Sequence, residues 1–130
     1  MKNILFLSIT TVMALALGAG CGLFGDDTEY REGWAAVDSI RVLSVESGHI
    51  DFLCYVSVAN DCCTYGRHEI DVDQVDVSMR IYSKCRTGVC NAAIAYIEVE
   101  LPFDCAGGQD YSFHFWRLGE ASLDTTIYVP

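Results

Sequence analysis

The chain has 130 residues, with 18 Asp and Glu against 8 Lys and Arg, a formal net charge of −10, and seven cysteines. This length suits one small domain and is too short for two. The strong negative charge argues against nucleic acid as a partner, because phosphate binding needs a basic patch. It also argues against docking on anionic lipid headgroups through side chains. Solubility is its simplest consequence.

The first 21 residues, MKNILFLSITTVMALALGAGC, have the layout of a secretory signal. Lys2 supplies the positive tip, an apolar run extends from Ile4 to Leu17, and small residues lead into Cys21. The apolar run is shorter than the roughly 20 residues that a membrane span requires. We therefore predict a removable signal peptide over residues 1–20 and a mature chain that begins with cysteine.

The cleavage region resembles the lipobox of bacterial lipoproteins, which runs aliphatic, small, small, cysteine. Ala19, Gly20 and Cys21 match that pattern, whereas Gly18 stands where the family prefers leucine. The resemblance implies that Cys21 is diacylated and holds the chain on the bacterial cell envelope. Gly22, in place of aspartate, implies the outer membrane by similarity to enterobacterial sorting. An ordinary secreted protein and an uncleaved anchor are the alternatives.

The remaining cysteines indicate disulfides. If Cys21 carries the lipid, an even set of six is left, which predicts three disulfides in an oxidising compartment. Six cysteines permit 15 pairings, and the sequence does not choose among them. Cys62 and Cys63 should lead to two different partners, because adjacent Cα atoms lie closer together than a disulfide prefers. The six are Cys54, Cys62, Cys63, Cys85, Cys90 and Cys105.

Residues 21–35 are predicted to be a flexible tether, and residues 36–130 a folded domain. The segment from Gly22 to Gly33 has three glycines, four acids and little periodicity, which is typical of a linker. Its glycines and acids therefore place the start of the domain near residue 36.

The domain alternates apolar and polar residues with a period of two, which predicts half-buried strands. A phase slip between Val42 and Leu43 indicates a bulge. Residues 49–59 form the cleanest pattern, with Cys54 pointing inward, and residues 60–66 are predicted to be a loop. On the third strand Val72 is expected to face inward, and on the fourth strand Arg80 faces outward between the inward residues Met79 and Ile81. Pro102 is expected to end the fifth strand. The predicted strands cover residues 39–46, 49–59, 68–72, 75–84, 92–101, 111–117 and 123–129.

About seven short strands without an amphipathic helix favour an all-β fold, an antiparallel β-sandwich of immunoglobulin-like type. A small β-barrel is the alternative. The short motifs DSI at residues 38–40, Cys62-Cys63 and Val89-Cys90 resemble those of small exported bacterial domains of immunoglobulin-like type. That resemblance implies a disulfide from Cys62 or Cys63 to Cys90. The resemblance implies a fold and an exported location but no activity.

Trp116, His114 and Tyr128 are the candidate binding residues. Strand parity places His114 and Trp116 on the outward face of one strand, and Tyr128 is expected to join them. An outward aromatic patch can bind sugars or proteins, although such residues also serve as cover for a sheet edge. The predicted ligand is an unknown protein or glycan.

No cofactor, metal site or catalytic set is predicted. Adjacent cysteines are a poor chelating pair for zinc. The acids from Glu69 to Asp76 lack the glycine and terminal glutamate of a calcium loop, and no serine has a convincing histidine and acid context. The sequence therefore favours a lipid-anchored binding or structural module that is not an enzyme. A hydrolase inhibitor is the alternative, with residues 60–66 or 85–90 as its presented loop.

Overall fold

The computed structural model describes residues 29–119 and 121–130. The predicted signal peptide and the lipidation at Cys21 lie outside the described residues. Seven strands and no helix occur within them, which confirms the all-β prediction; no described helix could cross a membrane. The strands are β1 Tyr30–Glu46, β2 His49–Val58, β3 Cys63–Asp73, β4 Asp76–Arg86, β5 Ala95–Asp104, β6 Gln109–Phe115 and β7 Leu123–Val129.

The strands join in one curled sheet of order β5-β2-β1-β4-β6-β7, with β3 paired to β4 as well. Five pairings are antiparallel, as predicted, and the pairing of β4 with β6 is parallel. The neighbours β1, β2 and β5 follow the order of strands A, B and E in an immunoglobulin domain. The parallel pair is a departure from that plan.

β1 connects the two sides of the curled sheet, one formed by β2 with β5 and the other by β4 with β6. Its first residues, 30–35, pair with β4, and residues 35–46 pair with β2. The register shifts between Val37 and Ser39 and again between Val42 and Ser44, which confirms the predicted bulge near Val42. Since a bulge bends and twists a strand, these two irregularities turn β1 from one layer into the other.

The predicted tether is wrong for residues 30–35, which are part of the sheet. Gly33 does not provide flexibility there. A Cβ atom on it would lie 2.8 Å from Ser83 Oγ and 2.9 Å from Cys85 Sγ, so glycine permits close approach of β1 to β4. The domain therefore includes residues 30–35, which the sequence analysis had placed in the linker because of its glycines and acids.

The core lies between β2 with β5 on one side and β4 with β6 on the other. The predicted inward face of β2 is confirmed, since its five alternating residues are fully buried. Phe52 makes edge contacts at 4.9 Å with Phe113 and at 5.3 Å with Phe115 between ring centres. Burial of each such side chain stabilises the fold by about 1.5–3 kcal/mol. The five β2 residues are Ile50, Phe52, Cys54, Val56 and Val58.

The outer strands depart most from the sequence pattern. β3 begins at Cys63, inside the predicted loop, and Val72 is 51% exposed although its parity placed it inward. The prediction that Pro102 ends β5 is wrong, because β5 continues to Asp104. β5 is an outermost strand, where a proline can stand without costing a ladder hydrogen bond.

The described residues contain two disulfides, Cys62–Cys90 and Cys63–Cys85. The adjacent cysteines lead to two partners, as predicted, and Cys62–Cys90 is a pairing that the family resemblance implied. The prediction of three disulfides is wrong, since Cys54 and Cys105 are free. Cys54 lies opposite Val99 on β5, and Cys105 follows six residues later, roughly 20 Å along the strand. That separation far exceeds the reach of a disulfide.

Candidate functional site

An open cleft of about 470 Å³ lies on the outer face of β3, β4 and β6. Strand pairing aligns Asp71, Ser78 and His114 in one row across it. A second row contains Glu69, Arg80 and Trp116, because Glu69 pairs with Arg80 and the Trp116 amide donates to the Met79 carbonyl at 3.0 Å. These six residues line the cleft together with Met79 and Ser122.

The positions of His114 and Trp116 follow from the strand alternation. Phe113 and Phe115 are fully buried, so the side chains between and beyond them face outward. The Trp116 carbonyl also accepts a hydrogen bond from the Val37 amide at 3.1 Å. Trp116 is therefore fixed by its backbone between β4 and β1 while its side chain stays half-buried beside His114.

Stacked cations and aromatic rings cross the same face. The Arg80 guanidinium lies 4.7 Å from the Trp116 ring centre and 4.9 Å from that of Tyr82. The Arg67 guanidinium lies 3.9 Å from the Tyr82 ring centre as well. Guanidinium groups are attracted to ring faces at such distances, so the two arginines and two rings order one another.

Two carboxylates hold Arg67 in place. Glu32 accepts two hydrogen bonds from its guanidinium at 2.7 and 3.0 Å, and Glu69 accepts one at 2.6 Å. These bonds lower the pKa of both carboxyl groups and raise the pKa of Arg67. The Tyr82 hydroxyl donates a further bond to Glu69 at 3.0 Å. Glu69 is thus an ionised, positioned wall of the cleft.

His114 is held between two carboxylates. Its Nδ1 lies 2.9 Å from Asp124 and its Nε2 lies 3.3 Å from Asp76. A neutral imidazole has a single N–H, so only the protonated ring can donate to both. The bonds to Asp124 and then to Asp76 raise the pKa of His114. A hydrogen bond from the Ser122 hydroxyl, and secondarily the bond from His114, lower the pKa of Asp124.

Tyr128 does not reach the cleft. It lies on β7 opposite Asp110, whereas His114 lies opposite Asp124. Four residues separate these two levels of β7, roughly 13 Å along the strand. The prediction that Tyr128 joins His114 and Trp116 in one patch is therefore wrong, and its exposed ring belongs to another part of the surface.

Sequence reasoning missed Arg80, Glu69 and Asp71 as members of the site. Strand parity correctly put Arg80 on the outer face of β4, but it carries no information on which strand lies beside which. The parallel pairing of β4 with β6 brings Arg80 to Trp116. No local signal in the sequence announces that pairing.

His49 has the same arrangement in another part of the sheet. Its Nδ1 bonds to Asp104 and its Nε2 lies 3.0 Å from Asp51, which also accepts the Ser44 hydroxyl at 2.8 Å. Hydrogen bonds to Asp104, and then to Asp51, raise the pKa of His49. The group links β1 and β2 with the end of β5. His49 and Asp51 are two residues apart on one strand and therefore share a face, so this hydrogen bond could have been predicted from their spacing.

These histidine clusters lack the geometry of a nucleophile and its base. Ser122 and Ser44 each donate to an aspartate rather than to a histidine nitrogen, so neither serine is activated as a nucleophile would be. Asp61, Cys62 and Cys90 are close enough to share a metal ion. However, the two sulfurs are joined in a disulfide and offer no thiolate. The cleft itself presents an aromatic ring, a guanidinium group and carboxylates to solvent.

A second surface feature is the doubly bridged loop, residues 86–91, which follows Cys85 and contains Cys90. The Arg86 amide donates to the Cys62 carbonyl at 3.1 Å, and the Asn91 amide donates to Asp61 at 2.9 Å. Gly88 has a φ of +130°, which glycine adopts without strain. Val89 projects from this loop and is fully exposed, at 102%.

Comparison with protein-family models, with curated proteins and with solved structures finds no match to this chain.

Proposed function

We propose that the chain is an exported lipoprotein whose β domain is a binding module on the cell envelope, with the cleft around Trp116 as its site. The lipobox-like residues Ala19 to Cys21 support the anchor. The two disulfides support export, because disulfides persist in oxidising compartments. The even cysteine count no longer supports the anchor, since Cys54 and Cys105 do not pair.

The observation that carries the binding role is the convergence of Trp116, Arg80 and Asp71 on one open cleft. An aromatic ring offers an apolar surface to the face of a sugar. Guanidinium groups donate hydrogen bonds and carboxylates accept them, and sugar hydroxyls can do both. The Asp71 carboxylate accepts no hydrogen bond within the described part of the chain, so its oxygens are available to a ligand. A hydroxyl-rich envelope glycan is the ligand class that fits these groups.

Titration with purified envelope glycan fragments tests this role. We expect Trp116→Ala to weaken binding roughly tenfold, the equivalent of about 1.4 kcal/mol of aromatic contact. Tyr128→Ala removes an exposed ring outside the cleft and should leave the affinity unchanged. Glycan binding that survives Trp116→Ala undiminished, or no glycan binding by the unsubstituted protein, would contradict the proposal.

A further inference from the structure

We propose that the doubly bridged loop, residues 86–91, rests on the bilayer that holds the chain, with Val89 inserted at the boundary between headgroups and acyl chains. This inference depends on the proposed lipidation of Cys21. The bilayer is chosen over a partner protein because of where the loop lies relative to the start of the described chain.

The loop lies directly beside Glu29, the first described residue. The Thr87 amide and hydroxyl both donate to the Glu29 carbonyl, at 2.9 and 3.0 Å. Eight residue steps join Cys21 to Glu29, and a chain of that length spans at most about 29 Å even when fully extended. An acyl group on Cys21 therefore keeps this end of the domain close to the membrane surface.

The loop presents apolar side chains in a fixed position. Val89 is fully exposed, and Ile94, in the segment that leads from the loop into β5, is 57% exposed. The disulfides Cys62–Cys90 and Cys63–Cys85 bracket the projecting residues. Because the loop is already ordered, insertion of Val89 loses little conformational entropy. Apolar groups at a membrane surface are buried at the boundary between headgroups and acyl chains, and binding strengthens with the apolar area buried.

The charge at this end differs from that of the whole protein. Strand pairing places Arg31, Lys84 and Arg86 at the same end of β1 and β4, and these are three of the seven Lys and Arg that follow Cys21. Glu29, Glu32 and Asp61 lie at the same end and balance them. Most of the acidic excess therefore lies elsewhere on the chain, and Asp26 and Asp27, shortly before Glu29, are the exception. This end meets less repulsion from a lipid surface than the full net charge would suggest.

The same placement leaves the cleft accessible. Arg86 marks the loop end of β4, and Ser78 in the cleft is eight residues away along that strand. This spacing corresponds to roughly 26 Å. With the loop on the bilayer, Trp116 and its neighbours lie in the half of the domain farther from the membrane.

Fluorescence quenching in vesicles tests the inference on the full acylated chain. Val89→Trp and, as a matched control, Val72→Trp are each incorporated into phosphatidylcholine vesicles with plain or brominated acyl chains. Val72 is an exposed valine at the opposite end of the domain, beside the turn between β3 and β4. Emission from the unsubstituted chain is subtracted to remove Trp34 and Trp116.

The inference predicts a loss of emission in brominated vesicles for Val89→Trp and no loss for Val72→Trp. Acylation is checked on the same samples by mass spectrometry. Acylated protein without quenching at position 89 overturns the inference and leaves the anchor intact, whereas absence of acyl mass overturns both. Inhibition of a protease that prefers small aliphatic side chains, abolished by Val89→Asp, would assign the loop to a protein partner and also overturn it.

Discussion

The Arg80 guanidinium lies over the Trp116 ring at 4.7 Å, and this contact joins β4 to the residue that follows β6. The two strands run parallel and pair through only four residues each, 76–79 with 112–115. Arg80 and Trp116 extend that short pairing by one side-chain contact. The cleft therefore depends on a contact between residues 36 positions apart in the sequence.

Removal of this contact should be measurable. We expect Arg80→Ala to lower the free energy of unfolding by about 0.5–1 kcal/mol, the range for a cation–π contact at an exposed site, and to change tryptophan emission. Arg41→Ala, an exposed arginine on β1, is the control. Urea unfolding followed by fluorescence gives both quantities. Equal effects of the two substitutions would show that Arg80 does not order Trp116.

His114 and His49 each lie between two carboxylates, which predicts that the stability of the protein depends on pH. Hydrogen bonds to Asp124 and Asp76 raise the pKa of His114, and bonds to Asp104 and Asp51 raise that of His49. Because the folded protein favours the protonated rings, their stabilisation is complete below the ordinary value of about 6.5. It is lost as the pH rises through the raised pKa values. The melting temperature of the unsubstituted protein should therefore decline over that interval.

His114→Gln isolates one of these contributions. The difference in melting temperature between the unsubstituted protein and this variant should shrink as the pH rises from about 6 to above the raised pKa. His68→Gln is the control, because the His68 ring bonds to the Tyr65 hydroxyl rather than to a carboxylate. If the difference in melting temperature for His114→Gln does not change with pH, Asp124 and Asp76 do not stabilise the protonated ring.

The nested disulfides predict non-additive stabilities. The Cys63–Cys85 bridge closes a segment that lies within the one closed by Cys62–Cys90. In the chain-entropy model a single bridge here is worth about 3.5 kcal/mol, but with one bridge intact the other closes a loop of only about eight residues, worth about 2.5 kcal/mol. Loss of either bridge should thus cost about 2.5 kcal/mol, and loss of both about 6 kcal/mol.

Paired Cys→Ser variants of each bridge, and the fourfold variant, supply the three unfolding free energies. A fourfold variant whose destabilisation is no larger than the sum of the two separate losses would show that the bridges do not share one closed loop.

The free thiols differ in reactivity. Cys54 is fully buried, and that burial raises its pKa to about 12, so almost no thiolate forms at neutral pH. Cys105 is half-buried. We expect an alkylating reagent to modify Cys105 in the native protein and Cys54 only after unfolding. Reduction should then add four hydrogens, two for each bridge. A gain of six would indicate a third disulfide.

The sequence predicted best where one face of a strand is buried along its whole length. In β2, alternation identified every inward residue from Ile50 to Val58. A shift of this strand by one residue would move all of these apolar side chains to the outer face, so the pattern is strongly constrained. Outer strands lack this constraint. The parity of β3 placed Val72 inward, yet as the end of an outer strand it remains exposed.

Long-range pairing was beyond the reach of the sequence. The inward direction of Cys54 was predicted correctly, but its failure to pair depends on the register of β2 against β5. Likewise, His114 and Trp116 could be placed on one face, while their partners Arg80 and Asp71 arrive through the pairing of β4 with β6 and with β3. Alternation reports the face of a residue and not the neighbour of its strand.

Intact-mass analysis of the native protein from its membrane fraction tests the central claim most directly. The account predicts a mature chain that begins at Cys21 and carries acyl mass on that residue. A chain that retains Met1, or one that begins at Cys21 without acyl mass, would contradict it.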